Sequence, residues 1–380
     1  MIDLRRVDDR EHLLLASYAM HSRDTAGRVR AETAHDYRGP FARDRDRVLH
    51  SSAFRRLSGK MQVFTGEMGE YHRTRLTHTF EVASVARTIA RTLRLNEDLT
   101  ESLALVHDIG HPPFGHCGED VLAEALKAQG GFSHNQFALT IVTELEQRYT
   151  DSPGLNLSME VLSGQDTRAH KAAAAIGRSP LLEVQVVDLA DSIAYNAHDV
   201  DDALQMGVIE FDRLSRLGLI ARASHQVRQR YGALPSSRRR QALVHELVDL
   251  QITDLLGSAT ELLRGVDGQT ADEVRAAGLR LRHTATIAEE RMELERYLFD
   301  AVYRHPRLVA VRQAASARLQ QLLEGLVAQP DRLPLRFRTR AASVGTPRSV
   351  GDYLAGMTDR FCDAQYHCFT THPAGPLTDW

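Results

Sequence analysis

Asp188, Asp191, Tyr195, Asp199 and Asp202 step by three or four residues along the stretch LLEVQVVDLADSIAYNAHDVDDAL. That spacing puts all five on one face of a helix. The other positions, among them Ala190, Ile193, Ala194 and Ala197, are largely small and apolar. The helix predicted over 181–204 therefore needs neighbours that cover its apolar sides. Its acidic face is either solvated or compensated by metal or substrate, because unpaired buried carboxylates are costly.

The rest of the chain supplies helices of the same kind. Three-four apolar spacing predicts them at about 80–94, 97–106, 119–128, 134–149, 239–264, 284–303 and 306–328. Strand-like alternation is scarce; RLPLRFRTR near 332–340 reads as a short hairpin arm, and 266–273 as a loop. With 380 residues and 43% hydrophobic content the chain has ample material for a large core. No convincing linker interrupts it. The expectation is an all-α chain forming one helical unit, with a core at about 45–205, a helical C-terminal region at about 206–365 and a loose tail at about 366–380.

Within SLALVHDIGHPPFGHCGED, an apolar run delivers His107 and Asp108 side by side. Gly110, Pro112, Pro113 and Gly115 then break the chain, with His111 and His116 flanking the prolines. Imidazole and carboxylate are ligands for a borderline divalent cation. His78 lies on the buried stripe of the helix that continues through Val82 and Val85. By itself a His-Asp pair occurs by chance, and a single histidine on an apolar face is an ordinary core residue. The ordered set of a histidine, a His-Asp pair and a later aspartate makes four ligands and leaves positions open for water or phosphate.

This order resembles that of the HD superfamily of metal-dependent phosphohydrolases, and the flanking text is similar to its dGTPase-like group, the deoxynucleoside triphosphate triphosphohydrolases. The matching stretches include RDRDRVLHSSAFRRLSGKMQVF (43–64), RTRLTHTFEVASVAR (73–87), HDIGHPPFGHCGED (107–120), GGFSHNQ (130–136), LNLSMEVLSG (155–164), VQVVDLADSIAYNAHDVDDAL (184–204) and RSVGDYLAGMTDRF (348–361). The resemblance implies hydrolysis of a dNTP to a deoxynucleoside and inorganic triphosphate. It implies His78, His107, Asp108 and Asp191 as metal ligands. It implies His116 and Glu119 as a catalytic pair acting on water, with His111 and His134 lining the phosphate pocket. Arg75 matches a substrate arginine, Tyr195 and Asp199 match residues that hold the deoxyribose, and Arg56 and Leu57 fall near sugar and base. Where relatives carry a phosphate lysine, the text here is shifted; Arg168, His170 and Lys171 are the candidates, and Lys171 is the choice. A second phosphate lysine is replaced by Ser192.

Independently of the resemblance, Arg55, Arg56, Lys60, Arg73 and Arg75 form a dense cationic segment before His78, suited to a polyanion. Two imidazoles and two carboxylates suit manganese, iron, cobalt or nickel, while magnesium usually prefers all-oxygen shells. The net charge of −3 gives no global pull toward nucleic acid. The arginines of 213–230 and the run SSRRRQ at 236–241 read as solvated surface, with weak single-stranded nucleic-acid contact as the alternative. Three cysteines are too few for a disulfide framework. No signal peptide and no membrane span are expected, and a cytoplasmic enzyme is the simplest reading. Homo-oligomers, hexamers or tetramers, and activation by a nucleotide at a second site are implied by the resemblance alone. Two other classes stay open: another HD-type phosphohydrolase, such as a nucleotidase or signalling-nucleotide phosphodiesterase, and a nucleic-acid-binding protein with a relict site.

Overall fold

The computed structural model describes residues 6–35, 37–62, 73–150, 152–170, 177–372 and 375–380. The architecture is all-α. Among the described residues β-pairing is limited to four isolated bridges, such as Met61 with Thr74.

The long acidic helix, here α7 (Leu182–Gln205), organises the molecule. The helices before it that matter here are α1 (Pro40–Leu49), α2 (Arg75–Thr92), α3 (Glu97–Val106), α4 (His116–Ala125), α5 (His134–Thr140) and α6 (Met159–Ala169). α7 packs against α2 and α3, α3 also packs on α1 and α6, and α5 lies on α6. The starts are set locally. Thr74 caps α2 by accepting from the Thr77 N–H, and Asn96 caps α3 by accepting from the Leu99 N–H. Val184, Val187, Ala190 and Ala194 place the first half of α7 in the main core; Val200 and Ala203 place its second half in a separate cluster with Leu219, Leu243, Leu294 and Leu298. The acidic face therefore runs past the junction of two apolar cores.

The second cluster is built by α8 (Gly218–Tyr231), α9 (Ser236–Arg264) and α10 (Ala285–Leu298). The chain then returns to the main core through α11 (Pro306–Ala328), α12 (Leu335–Val344), α13 (Thr346–Ala355) and α14 (Asp359–Thr371). α11 packs on α4, α13 and α14. Among the described residues, no helix is long and apolar enough to cross a membrane.

Several expectations are corrected. The hairpin at 332–340 is a 3-10 turn followed by α12. Leu333 and Phe337, four apart, are fully buried, while Leu335 between them is 70% exposed; the apolar period is helical, not alternating. The loop at 266–273 ends in a short helix, Ala271–Ala276, started by a Thr270/Glu273 capping box. The helix expected through 149 gives way to a wide turn over Ile141–Leu145. Glu146 then swings in to accept from the Ser52 N–H, Ser52 Oγ and the Ala53 N–H, at 3.0, 2.6 and 2.7 Å. The described parts of the tail are docked rather than loose. α14 runs to Thr371, the Leu377 N–H donates to the Arg332 carbonyl, and the Trp380 indole N–H donates to the Tyr353 carbonyl at 2.8 Å. Its Pro and Gly content reads as disorder, but one leucine and one tryptophan give it enough apolar area to dock.

Candidate metal centre and adjoining cavity

α3 ends in the buried run Leu103 to Val106 and hands His107 and Asp108 directly into the interior. The loop after them folds back tightly. A Cβ at Gly110 would sit 2.0 Å from the His134 carbonyl, so this approach to α5 requires glycine. Phe114 and Gly115 both adopt positive φ, 65° and 61°, before α4 begins at His116.

His78 from α2, His107 and Asp108 from the end of α3, and Asp191 from α7 converge. His78 Nε2 lies 3.1 Å from Asp191 Oδ1, and His107 Nε2 lies 3.5 Å from Asp108 Oδ1 and 3.7 Å from Asp191 Oδ1. His107 Nδ1 sits 2.5 Å from the Ala104 carbonyl, which only its N–H can satisfy. Nε2 is then left as a lone pair, and it is buried without a hydrogen-bond partner. An orphaned imidazole nitrogen facing two carboxylates fits a divalent cation. The electrostatics agree. Burial raises Asp108, but His111, His107 and Arg75 outweigh it and hold the carboxyl well below the usual range. Burial also raises Asp191, and His107 and His78 outweigh it in the same direction. Burial pushes the His107 imidazole down. Ionised carboxylates beside a neutral imidazole are the forms that bind metal.

The ligand-type groups continue as a seam. Asp108, His111 and His134 lie within reach of one another, as do His111, His116 and Glu119. The His111 and His134 rings stack with centroids 3.8 Å apart. Glu119 grips His134 more firmly than His116: it accepts from the His134 N–H at 2.9 Å and meets its Nδ1 at 2.8 Å, whereas His116 Nδ1 is 3.4 Å away and its ring is mostly exposed. Burial raises the Glu119 carboxyl, but hydrogen bonds from His116 and His134 hold it far below its ordinary range.

A cavity of about 250 Å³ opens over this seam. Arg75, Arg168 and Gln62 line it together with the histidines, and Asn135, Ser192 and Tyr195 complete its wall. Arg75 Nη1 donates to Asp108 Oδ2 at 2.9 Å. Arg168 reaches Asp188 at 2.7 Å and Asp191 at 4.0 Å. The acidic ladder of α7 is thus compensated mainly by arginines: Arg168 serves Asp188, and Arg73 serves Asp202 at 2.8 Å.

Other expected site residues lie elsewhere. Leu57 is fully buried in the main core. Arg56 stacks under Trp380 at 3.9 Å and does not line the cavity. Lys171 lies outside the described residues. Of the cationic segment before His78, only Arg75 lines the cavity. Lys60 is a buried strut whose ammonium donates to the carbonyls of His111 and Ala355. Asp359 works beside it, accepting from the Phe114 N–H at 2.9 Å and the Met61 N–H at 3.1 Å. The DYLAGMTDR stretch thereby grips the loop that carries His111 and His116.

Tyr303 is the group that sequence reasoning missed. Its hydroxyl donates to Asp199 Oδ2 at 2.5 Å and meets the Tyr195 hydroxyl. Nothing in the spacing around it signals this role, because 108 residues separate it from Tyr195. Burial pushes the Asp199 carboxyl up to about 7, offset only in part by Tyr303. A carboxyl raised on folding contributes stability at low pH that is lost as pH climbs from about 4 through about 7. Asp199→Asn lacks that loss. Its stability relative to wild type is expected to rise across this window by on the order of 4 kcal/mol, then level off. Urea unfolding at pH 4 to 8 checks it; a constant difference would mean that Asp199 titrates normally.

Residues 75–196 match the HD domain, and residues 281–368 match the phosphohydrolase-associated domain. These place the chain among the HD phosphohydrolases. Over 361 residues it is 41% identical to a deoxyguanosinetriphosphate triphosphohydrolase-like protein of Bordetella pertussis, covering 91% of this chain and 94% of the relative. Proteins with the same description in Geobacter sulfurreducens and Sinorhizobium medicae are 40% and 42% identical, covering 95% and 91% of this chain and 96% and 92% of theirs. The chain belongs to the deoxyguanosinetriphosphate triphosphohydrolase-like family of the HD superfamily.

Proposed function

We propose that the protein hydrolyses deoxynucleoside triphosphates to deoxynucleoside and inorganic triphosphate. One observation carries the reading: a single cavity is lined by His78, Asp108 and Asp191, with His107 behind them, and by two arginines, three further histidines and Tyr195. The first cluster would hold a divalent ion. When bound, such an ion supplies Lewis-acid polarisation of a phosphoryl oxygen and a more acidic water. Arg75 and Arg168 offer fixed cationic forks to the phosphate oxygens. Tyr195 lines the same cavity; a deoxyribose packed on its ring would leave a 2′-hydroxyl crowded.

In the reaction, the water oxygen bonds to the α-phosphorus and the bond from that phosphorus to the 5′-oxygen breaks. The proton released by water and the proton gained by the 5′-oxygen pass through His116 and His134, which line the cavity, with Glu119 in contact with both. Glu119 orients the imidazoles. Asp199 is buried outside the cavity lining and accepts from Tyr303; it would accept from a 3′-hydroxyl only if Tyr303 moved aside.

Incubation with each dNTP and Mn2+, followed by separation of the phosphate products, tests this. Inorganic triphosphate with free deoxynucleoside is the expected result. Monophosphate or pyrophosphate would assign a different phosphohydrolase reaction, and no product with any dNTP would remove the reading.

A further inference from the structure

His78 has a second neighbour that the metal cluster does not explain. Its Nδ1 lies 3.3 Å from Nδ1 of His198, with the two rings nearly perpendicular. His198 is buried on α7, and its Nε2 meets Glu81 Oε2 at 2.5 Å. Glu81 stands on α2, three residues after His78, and its side chain is about half exposed at 47%. Arg73 also reaches Glu81, at 3.2 Å.

With one proton on each ring, the hydrogen bonds can run in only one direction. The Glu81 carboxylate accepts only, so the His198 proton sits on Nε2. His198 Nδ1 is then a lone pair and accepts from His78 Nδ1–H. That leaves a lone pair on His78 Nε2, aimed at the carboxylate of Asp191 3.1 Å away. Two acceptors face each other there, and a shared cation resolves the conflict. The outer carboxylate thus dictates, through one intervening imidazole, which nitrogen of His78 is free to ligate.

We propose that Glu81 and His198 are positioning residues that fix the tautomer and ring orientation of His78 and thereby set the affinity of the cluster for a divalent ion. The inference rests on the metal reading of the cluster. It differs from the usual arrangement, in which a ligand histidine donates straight to a carboxylate or carbonyl, because here the second histidine extends the link to a carboxylate at the surface.

The test is Mn2+ binding to the metal-free full chain, followed by calorimetry. His198→Leu removes the acceptor and is expected to weaken Mn2+ by about ten- to a hundredfold, the scale of such outer partners. His198→Asn presents an amide oxygen to His78 Nδ1–H and is expected to recover most of the loss. Glu81→Ala is expected to weaken binding by a smaller factor and to alter the visible spectrum of the Co2+-loaded protein, which a purely structural role leaves unmoved. If His198→Leu fails to fold by circular dichroism, Glu81→Ala decides, since its loss opens no core. Wild-type affinity in both His198→Leu and Glu81→Ala, or in Glu81→Ala alone where His198→Leu does not fold, overturns the relay and leaves the metal reading standing. Absence of Mn2+ and Co2+ binding by the wild-type chain overturns both.

Discussion

Asp191→Ala is expected to lose bound metal and turnover together. Its carboxylate stands between two imidazoles, 3.1 Å from His78 Nε2 and 3.7 Å from His107 Nε2. Without it the set keeps one carboxylate, Asp108, and that one is already engaged by Arg75. Two neutral imidazoles and a shared carboxylate hold a divalent ion poorly. The variant should still fold, because Asp191 is only partly buried and belongs to neither apolar cluster. Mn2+ content of the purified variant, read beside its thermal melt and dNTP turnover, checks this. Full metal stoichiometry in a folded Asp191→Ala would take the residue out of the ligand set.

The second large effect is expected at Glu119. Sequence alone pairs it with His116, three residues earlier on α4. In the fold it is shared, and its tighter partner is His134. Glu119→Gln therefore disturbs two imidazoles at once. Turnover is expected to fall by about 10² to 10⁴-fold, the range for removal of general acid–base function, while dNTP and Mn2+ still bind. His116→Ala should lie within the same range but cost less, since His134 keeps its orienting carboxylate. Calorimetry for binding and triphosphate release for turnover separate the two terms. A larger loss in His116→Ala than in Glu119→Gln would return the leading role to His116.

The cluster was legible because its residue types are few and its helical spacing is regular. His78 on an apolar stripe, His107-Asp108 at the end of an apolar run and Asp191 on a helix of small residues each announce themselves locally, and the fold brings them together. Tyr303 does not, since only the packing of α10 beside α7 carries it to Asp199. Arg168, His170 and Lys171 stand close together in sequence, and spacing alone cannot single out Arg168, which lines the cavity. Arg56 and Lys60 look like members of a polyanion site by charge, but one is stacked beneath Trp380 and the other is enclosed by carbonyls. The stretch 332–340 misled because Leu333, Leu335 and Phe337 satisfy a period of two, and only burial shows that Leu335 is outside the pattern.

Asp359 holds the loop of His111 and His116 from far along the sequence, and Lys60 ties that loop to Ala355 in the same late segment. The candidate metal ligands all lie between residues 78 and 191, whereas Ala355 and Asp359, which fasten the loop, stand far downstream of them. A chain cut between Asp191 and Asp359 would thus keep every candidate ligand yet lack the carboxylate that accepts from the Phe114 N–H and shapes the loop.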